Sequence, residues 1–294
     1  MAAITTSTNL FPEKLVSDVF SKVKGHSSLA KLSGQSPIPF SNTEQMVFTM
    51  DGEASIVGEG ENKPAGEAAF KSVTIAPIKF VYQHRLTDEF VNLAEEDQIP
   101  YLQAFTDGFA VKMARALDIA AMHGVNPATK TAVDALAAKN FDMASVGKIT
   151  TTAGAEDDDI DSAVQAVAAA DGVVTGIAMA PAFGASMAKI KVNGVVQYPE
   201  FRFGGNPDAF YGMGSDVNNT VAFGDSKDLA IVGDFQNAFK WGYAQNIPCE
   251  VIEYGDPDGQ GDLKRTNQIV LRAEAFIGWG ILDPESFKRI VKGA

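Results

Sequence analysis

Apolar positions recur along this chain with two periods, and the changes from one to the other lay out its elements. After a polar start to about Leu10, Leu15, Val16, Val19, Phe20 and Val23 share one stripe at helical spacing, opened by Pro12 and ended near Gly25. "SGQSPIPF" follows, and its two prolines hold it extended. This reads as an N-terminal arm with one short amphipathic helix, although periodicity alone equally allows a helix packed on its own domain.

"TEQMVFTM" predicts a strand leading to the turn signal Asp51-Gly52. A glycine- and glutamate-rich run comes next, and then a strand pattern in which Val73 and Ile75 alternate in one phase and Ile78, Phe80 and Tyr82 in the other. The phase reverses at Ala76-Pro77, where proline cannot donate to a ladder. Such a strand must pack against two surfaces. The inner half is expected on its own domain and the outer half on another molecule, because an isolated two-stranded ribbon is marginal in water.

Asp97 to His123 predicts a long helix, with Leu102, Phe105, Phe109, Met113, Ala116 and Ala120 on its buried stripe and Gly124 as its stop. "EDDDIDSAVQAVAAADG" predicts a helix whose carboxylates suit the positive end of its dipole. "VVTGIAMA" follows as a buried strand and "PAFGASMAKIKV" as a proline-opened helix. A glycine-rich loop region over 199–219 leads to closing strands in "AFGDSKDLAIVGDF", "FKWGYAQNIPCEVIEY" and "NQIVLRAEAFIGWGILDPESFKRI". The fold class is mixed α+β.

Composition narrows the function. The 294 residues are 46% hydrophobic, enough for a substantial core. Against 24 basic residues stand 37 acidic ones, a net charge of -13 that argues against broad phosphate neutralisation on nucleic acid. Cys249 is the one cysteine, so no intrachain disulfide is expected. The start lacks a signal-peptide pattern, and no apolar run approaches the roughly 20 residues of a membrane span. A soluble product of a reducing cytosol is expected.

Candidate chemistry is sparse. His26, His84 and His123 lack ligand spacing and read as surface or helix-end residues. "GMGSDV" is half a dinucleotide fingerprint without its strand-helix setting, "GASMA" falls short of a nucleophile elbow, and Cys249 reads as a small buried thiol. No catalytic residue, metal or cofactor is predicted, and the protein does not read as an enzyme.

The order of arm, polar hairpin, spine helix, α/β region and closing strand resembles the major capsid proteins of tailed bacteriophages, the Hong Kong 97-like fold. "ASIVGEGENKPAGEAAFKSVTIAPIKF" looks like that family's extended loop, and "MARALDIAAMHG", "VGDF" and "QIVLRAEAFIGWGI" fall in the matching order. The resemblance implies an arm over 1–43 and an extended loop over 44–83. It implies a peripheral domain over 84–130 and 246–294, and an axial domain over 131–245. It implies a structural protein that self-assembles into hexamers and pentamers, forming an icosahedral shell around double-stranded DNA without sequence-specific contacts. A separate scaffolding protein, a portal protein and decoration proteins would be partners, with no membrane. The site would be the virion, assembled in the bacterial host cytoplasm.

Contacts between subunits are expected from Leu15, Val19 and Phe20 of the arm and from Glu59, Glu61, Lys63, Glu67 and Lys71 of the loop. A merely solvated loop is the plainer reading of those charges. Some relatives cut away an N-terminal scaffolding segment, or form Lys–Asn isopeptide links. Lys63 and Lys71 lie in the right loop for such links, but no asparagine or assisting glutamate is assigned. Two alternatives stand beside this: an encapsulin-type compartment enclosing a cargo protein, and a cytosolic α/β enzyme. "SPIPF" after the arm favours the viral reading over the first, and the lack of convergent polar groups disfavours the second.

Overall fold

The computed structural model describes residues 26–51, 54–63, 65, 67–92, 95–244 and 249–293. The expected arm helix carrying Leu15, Val19 and Phe20 lies outside them. In chain order the first elements are α1 (Ser28–Leu32), β1 (Thr43–Asp51), β2 (Glu67–Ile75), β3 (Ile78–Thr87) and the long helix α2 (Glu95–His123). β4 (Gly147–Thr150), α3 (Glu156–Ala168), β5 (Gly176–Met179), α4 (Pro181–Met187), β6 (Lys191–Val192) and β7 (Val195–Val196) follow. β8 (Ala209–Phe210), β9 (Met213–Val217), β10 (Asp228–Gly233), β11 (Phe239–Tyr243), β12 (Cys249–Ile252), β13 (Gln268–Ile281) and β14 (Phe287–Val291) complete the order. Among these residues no helix is long and apolar enough to cross a membrane.

Two sheets organise the body. In the first, β13 is the central strand, with β3 antiparallel along one edge and β11 and β12 along the other. The second has six strands in the order β4-β14-β10-β5-β9-β8. α3 and α4 cover one of its faces, where Ile160, Ala163, Phe183 and Met187 pack with Ile177, Met179, Val232 and Ile290. The opposite face contributes Ala178, Ile231, Phe235 and Phe287 to a core shared with α2, β11 and β13. That shared core explains why the second half of α2 is apolar almost all round: Phe109, Ala110, Met113, Ala114, Leu117, Ala120 and Ala121 are all buried. Gly124 stops the helix at φ +64, and a Cβ there would meet the Asn140 side chain at 2.5 Å.

The sheets draw strands from several of the expected segments. Ser27, Ser28, Leu29, Ala30 and Leu32 are buried, with Leu29 fully inside the shared core. The connector after them pairs with β11, through Ser36 N–H to the Trp241 carbonyl at 2.9 Å. It also buries Ile38. Gly242 allows this close approach, since a Cβ would come 1.7 Å from the Ser36 carbonyl oxygen.

Within the 44–83 segment the pairing changes at Pro77: β2 pairs β1, whereas β3 pairs β13 along Ile78–Thr87. The 131–245 and 246–294 segments both give strands to each of the two sheets. β11 joins β13, and Asp283 caps a turn after Ile281 that sends β14 into the six-stranded sheet. His123, read as a surface or helix-end residue, does end α2 but is buried.

Candidate functional site

Two features stand out once the core is accounted for: a projecting ribbon and a pair of buried polar clusters at the ends of α1 and α2. The ribbon is β1 and β2, paired antiparallel without a break from Thr43↔Ile75 to Asp51↔Glu67. Alternation gives it two unlike faces. Thr43, Gln45, Val47, Lys71, Val73 and Ile75 share one, and its base rests on β13. There a Cβ at Gly278 would lie 3.2 Å from Ile75, and one at Gly280 3.0 Å from Ile75 and 3.2 Å from Val73. The "FIGWGI" pattern is thereby explained. Its glycines form a notch for the ribbon on one face, while Ile277, Trp279 and Ile281 fill the core on the other. Trp279 is fixed by its Nε1–H donating to the Lys139 carbonyl at 2.7 Å.

The described side chains of the ribbon's other face stand open to solvent. Met46 and Phe70 are each 73% exposed and Phe48 47%. Phe48 and Phe70 are direct cross-strand partners with ring centroids 4.9 Å apart. Beyond the strands, Gly58 to Glu61 makes a turn. The Glu61 carboxylate accepts from Gly58 N–H at 3.1 Å, and Ile56 stands fully exposed nearby.

The expected contact residues divide accordingly. Glu59, Glu61 and Lys63 lie exposed in the loop between the strands, and Lys71 is exposed on β2 opposite Val47. Glu67 opens β2 opposite Asp51. Glu61 has a local task, holding its own turn. The apolar trio Met46, Phe48 and Phe70 was missed in sequence, although the alternation in "TEQMVF" carried the signal.

The first buried cluster centres on Asp118 of α2. Its carboxylate accepts from Ser27 Oγ at 2.5 Å, Ser28 N–H at 3.0 Å, Leu29 N–H at 3.3 Å and Thr220 Oγ at 2.8 Å. It therefore shares the capping of α1 with the local N-cap Ser27, whose Oγ accepts from Ala30 N–H at 3.0 Å, and locks the short helix to the long one. Burial pushes Asp118 up to about 6, against the pull of these donors.

The second cluster joins His123, Asp142, Asp228 and Arg289. His123 Nδ1 lies 3.1 Å from Asp142 and Nε2 2.9 Å from the Thr220 carbonyl. Arg289 reaches Asp142 at 2.6 Å and Asp228 at 2.7 Å. Burial pushes Asp228 up to about 6, helped by a hydrogen bond shared with Asp142 and opposed by Arg289. Burial would lower His123, but the hydrogen bond and charge of Asp142 more than offset it and its pKa is raised. Burial likewise opposes ionisation of Asp142, yet its hydrogen bonds with His123 and Asp228 hold it below the usual range. Ligand-type atoms of His123, Asp142 and Asp228 lie within 4.8 Å of one another. The Arg289 guanidinium already supplies the positive charge there, so the donor set fits an ion network better than a metal.

A subunit with one large shared core, a glycine-notched β13 and a ribbon presenting an uncovered apolar face is built to be completed by other subunits, and belongs among shell-forming structural proteins. The chain is a member of the Phage capsid family, which it matches over residues 8–292. A solved chain from Mycobacterium phage Ogopogo is 34% identical, with TM-score 0.78, covering 91% of this chain and 92% of that one. One from Gordonia phage Cozz is 25% identical, with TM-score 0.74, covering 91% and 87%. The capsid of a native GTA particle shares the fold at 15% identity and TM-score 0.63, covering 91% and 90%. A comparison with curated proteins found no match. The protein is a structural capsid-shell protein of a tailed phage, with the Hong Kong 97-like mixed α+β fold.

Proposed function

We propose that copies of this chain join as hexamers and pentamers in an icosahedral shell around double-stranded DNA, with the β1–β2 ribbon of each subunit laid across its neighbour. One observation carries the reading: Met46, Phe48 and Phe70 form an exposed apolar face on a ribbon whose other face is already anchored on its own β13. A surface of this kind on a soluble subunit marks a contact. The neighbour supplies in trans the core that a two-stranded ribbon lacks. Glu59, Glu61 and Lys63 of the loop beyond the strands border this contact as its polar rim, whereas Glu67 and Lys71 fall at positions of the ribbon's opposite face.

The α3/α4-covered sheet is assigned to the capsomer centre and the β13 sheet to the periphery. A separate scaffolding protein, a portal protein and decoration proteins are the expected partners, in the bacterial host cytoplasm. The net charge of -13 suits DNA enclosed without sequence-specific contacts.

Replacing Phe70 with aspartate tests the reading. The variant subunit should remain soluble and folded, since the side chain is outside the core, but particle yield on electron micrographs should drop at least about tenfold. Normal shells from Phe70→Asp would remove the ribbon from the assembly contact.

A further inference from the structure

The α3/α4 covering of the six-stranded sheet ends in two unlike flanks. α3 rests on β4, β14 and β10, α4 packs beside it, and the turn segment Pro199–Gly204 packs against α4 in turn. The layer therefore runs α3, α4, turn segment, with its outer flanks at opposite ends. Between α4 and the turn segment opens a hollow of about 450 Å³, floored by Phe201 and Val217 and edged by Ala185, Lys189, Arg202 and Phe203. Phe203 is the odd residue there. It is fully exposed, and its backbone is held at φ +57, a left-handed conformation that a bulky side chain seldom takes. The Arg202 guanidinium lies 5.4 Å from its ring centroid. A phenylalanine set in water at a strained position contributes little to its own subunit, which points to cover supplied from outside.

The α3 flank has the complementary character. Along its outer stripe Asp158, Asp161, Ser162 and Gln165 are exposed, and the helix contains no basic residue. Asp157 is already engaged by the Tyr198 hydroxyl at 3.1 Å, whereas Asp161 accepts from Gln165 Nε2 at 2.7 Å with lone pairs to spare. Lys189 and Arg202 at the hollow are both exposed, in a chain whose net charge is -13. Glu200 shares the turn segment but does not line the hollow.

We propose that the hollow beside Phe203 receives the α3 flank of a second copy, head to tail, so that Lys189 and Arg202 meet Asp158 and Asp161. Phe203 is then set against Ser162, the smallest side chain in the middle of that stripe. Two different surfaces at opposite ends of one layer make a heterologous contact, the kind that closes into rings. The flexible Lys189 stem keeps a carboxylate partner over a range of crossing angles, which one contact serving both hexamers and pentamers requires. This contact is separate from the ribbon, and it rests on the placement of this sheet at the capsomer centre.

Photocross-linking tests it. p-Benzoylphenylalanine replaces Phe203 in the full-length chain, and shells assembled from equal amounts of isotopically heavy and light copies are recorded on electron micrographs and irradiated. The expected product joins the position-203 peptide to a peptide from 156–168, as often in heavy–light pairs as in same-label pairs. Same-label products alone would place the contact within one subunit and overturn the proposal. Shells in which position 203 links elsewhere, or not at all, would overturn the contact and leave the shell reading standing. No shells from the parent chain would overturn that reading, and this contact with it. Asp158→Lys with Asp161→Lys should cut the cross-link yield by about fivefold or more, through repulsion of Lys189 and Arg202. Adding Lys189→Glu and Arg202→Glu should restore it. An undiminished yield in the first variant, or no recovery in the second, would overturn the pairing.

Discussion

At the scale of single residues, the buried charges near the end of α2 make stability depend on pH in a direction that can be worked out. His123 is raised in the folded state, so its contribution is complete below the unfolded value and is lost as pH climbs through the folded one. Asp228, folded at about 6 against an ordinary 3.8, also favours the protonated folded form, but loses that advantage lower, as pH rises from about 4 to about 6. Asp142 acts oppositely, and its contribution is lost only as pH falls below the ordinary carboxylate range. The thermal unfolding midpoint should therefore decline from about pH 6 to pH 8. In His123→Gln that decline should be shallower, with a lower midpoint at pH 6. Scanning calorimetry across buffers checks both, and a His123→Gln slope as steep as the parent's would rule out this residue as a main cause. None of this was legible in sequence, because the four partners come from positions far apart and meet only through the fold.

At the scale of elements, the chain's own patterns told a good deal. The reversal of phase at Pro77 marked the place where one run divides between two sheets. The helix periods located α2 and α3, and Gly124 marked α2's end. Asn193-Gly194 closes the β6–β7 hairpin with φ values of +51 and +83, a signal present in the sequence but left unread, and β6 before it was read as the end of a helix. The β13 glycines were read only as part of a family resemblance, since a notch is defined by what lies in it. Gly280→Val tests that notch. Its Cβ would already be 3.0 Å from Ile75, so a branched side chain should tilt the ribbon's base and cost about 1–3 kcal/mol. The core face of β13 should stay intact. Hydrogen exchange should show loss of protection in 67–75 with little change in 268–281, and unchanged protection in both would remove the notch as the anchor.

At the scale of the whole molecule, the segment between arm and body is held more firmly than the sequence reading showed. Five residues of "SLAKL" gave too little periodicity to show as core, yet Leu29 is fully buried and three of Asp118's four hydrogen bonds come from Ser27 to Leu29. Deleting residues 1–25 should leave a folded subunit with only a modest loss of stability. Deleting 1–32 strips Leu29 and Leu32 from the core and leaves a buried carboxylate without most of its donors, at a cost of about 5 kcal/mol or more. Urea unfolding of both truncations separates them, and equal midpoints would return the boundary to the connector.

β14 has a consequence for timing during synthesis. It lies between β4 and β10 and, among the described residues, is the one strand that β4 pairs with. It also follows every other strand of that sheet in the chain. While the polypeptide is still emerging from the ribosome, β10 has one open edge and β4 has no ladder at all, however much of the helical covering has formed. A growing chain thus remains an unfinished sheet until its last strand is released, which delays the appearance of a subunit able to join others. Nascent chains arrested before Phe287 should be cut readily by protease within 147–150 and 228–233, and chains arrested with β14 outside the ribosome should resist. Equal resistance at both lengths would show that the sheet closes without it.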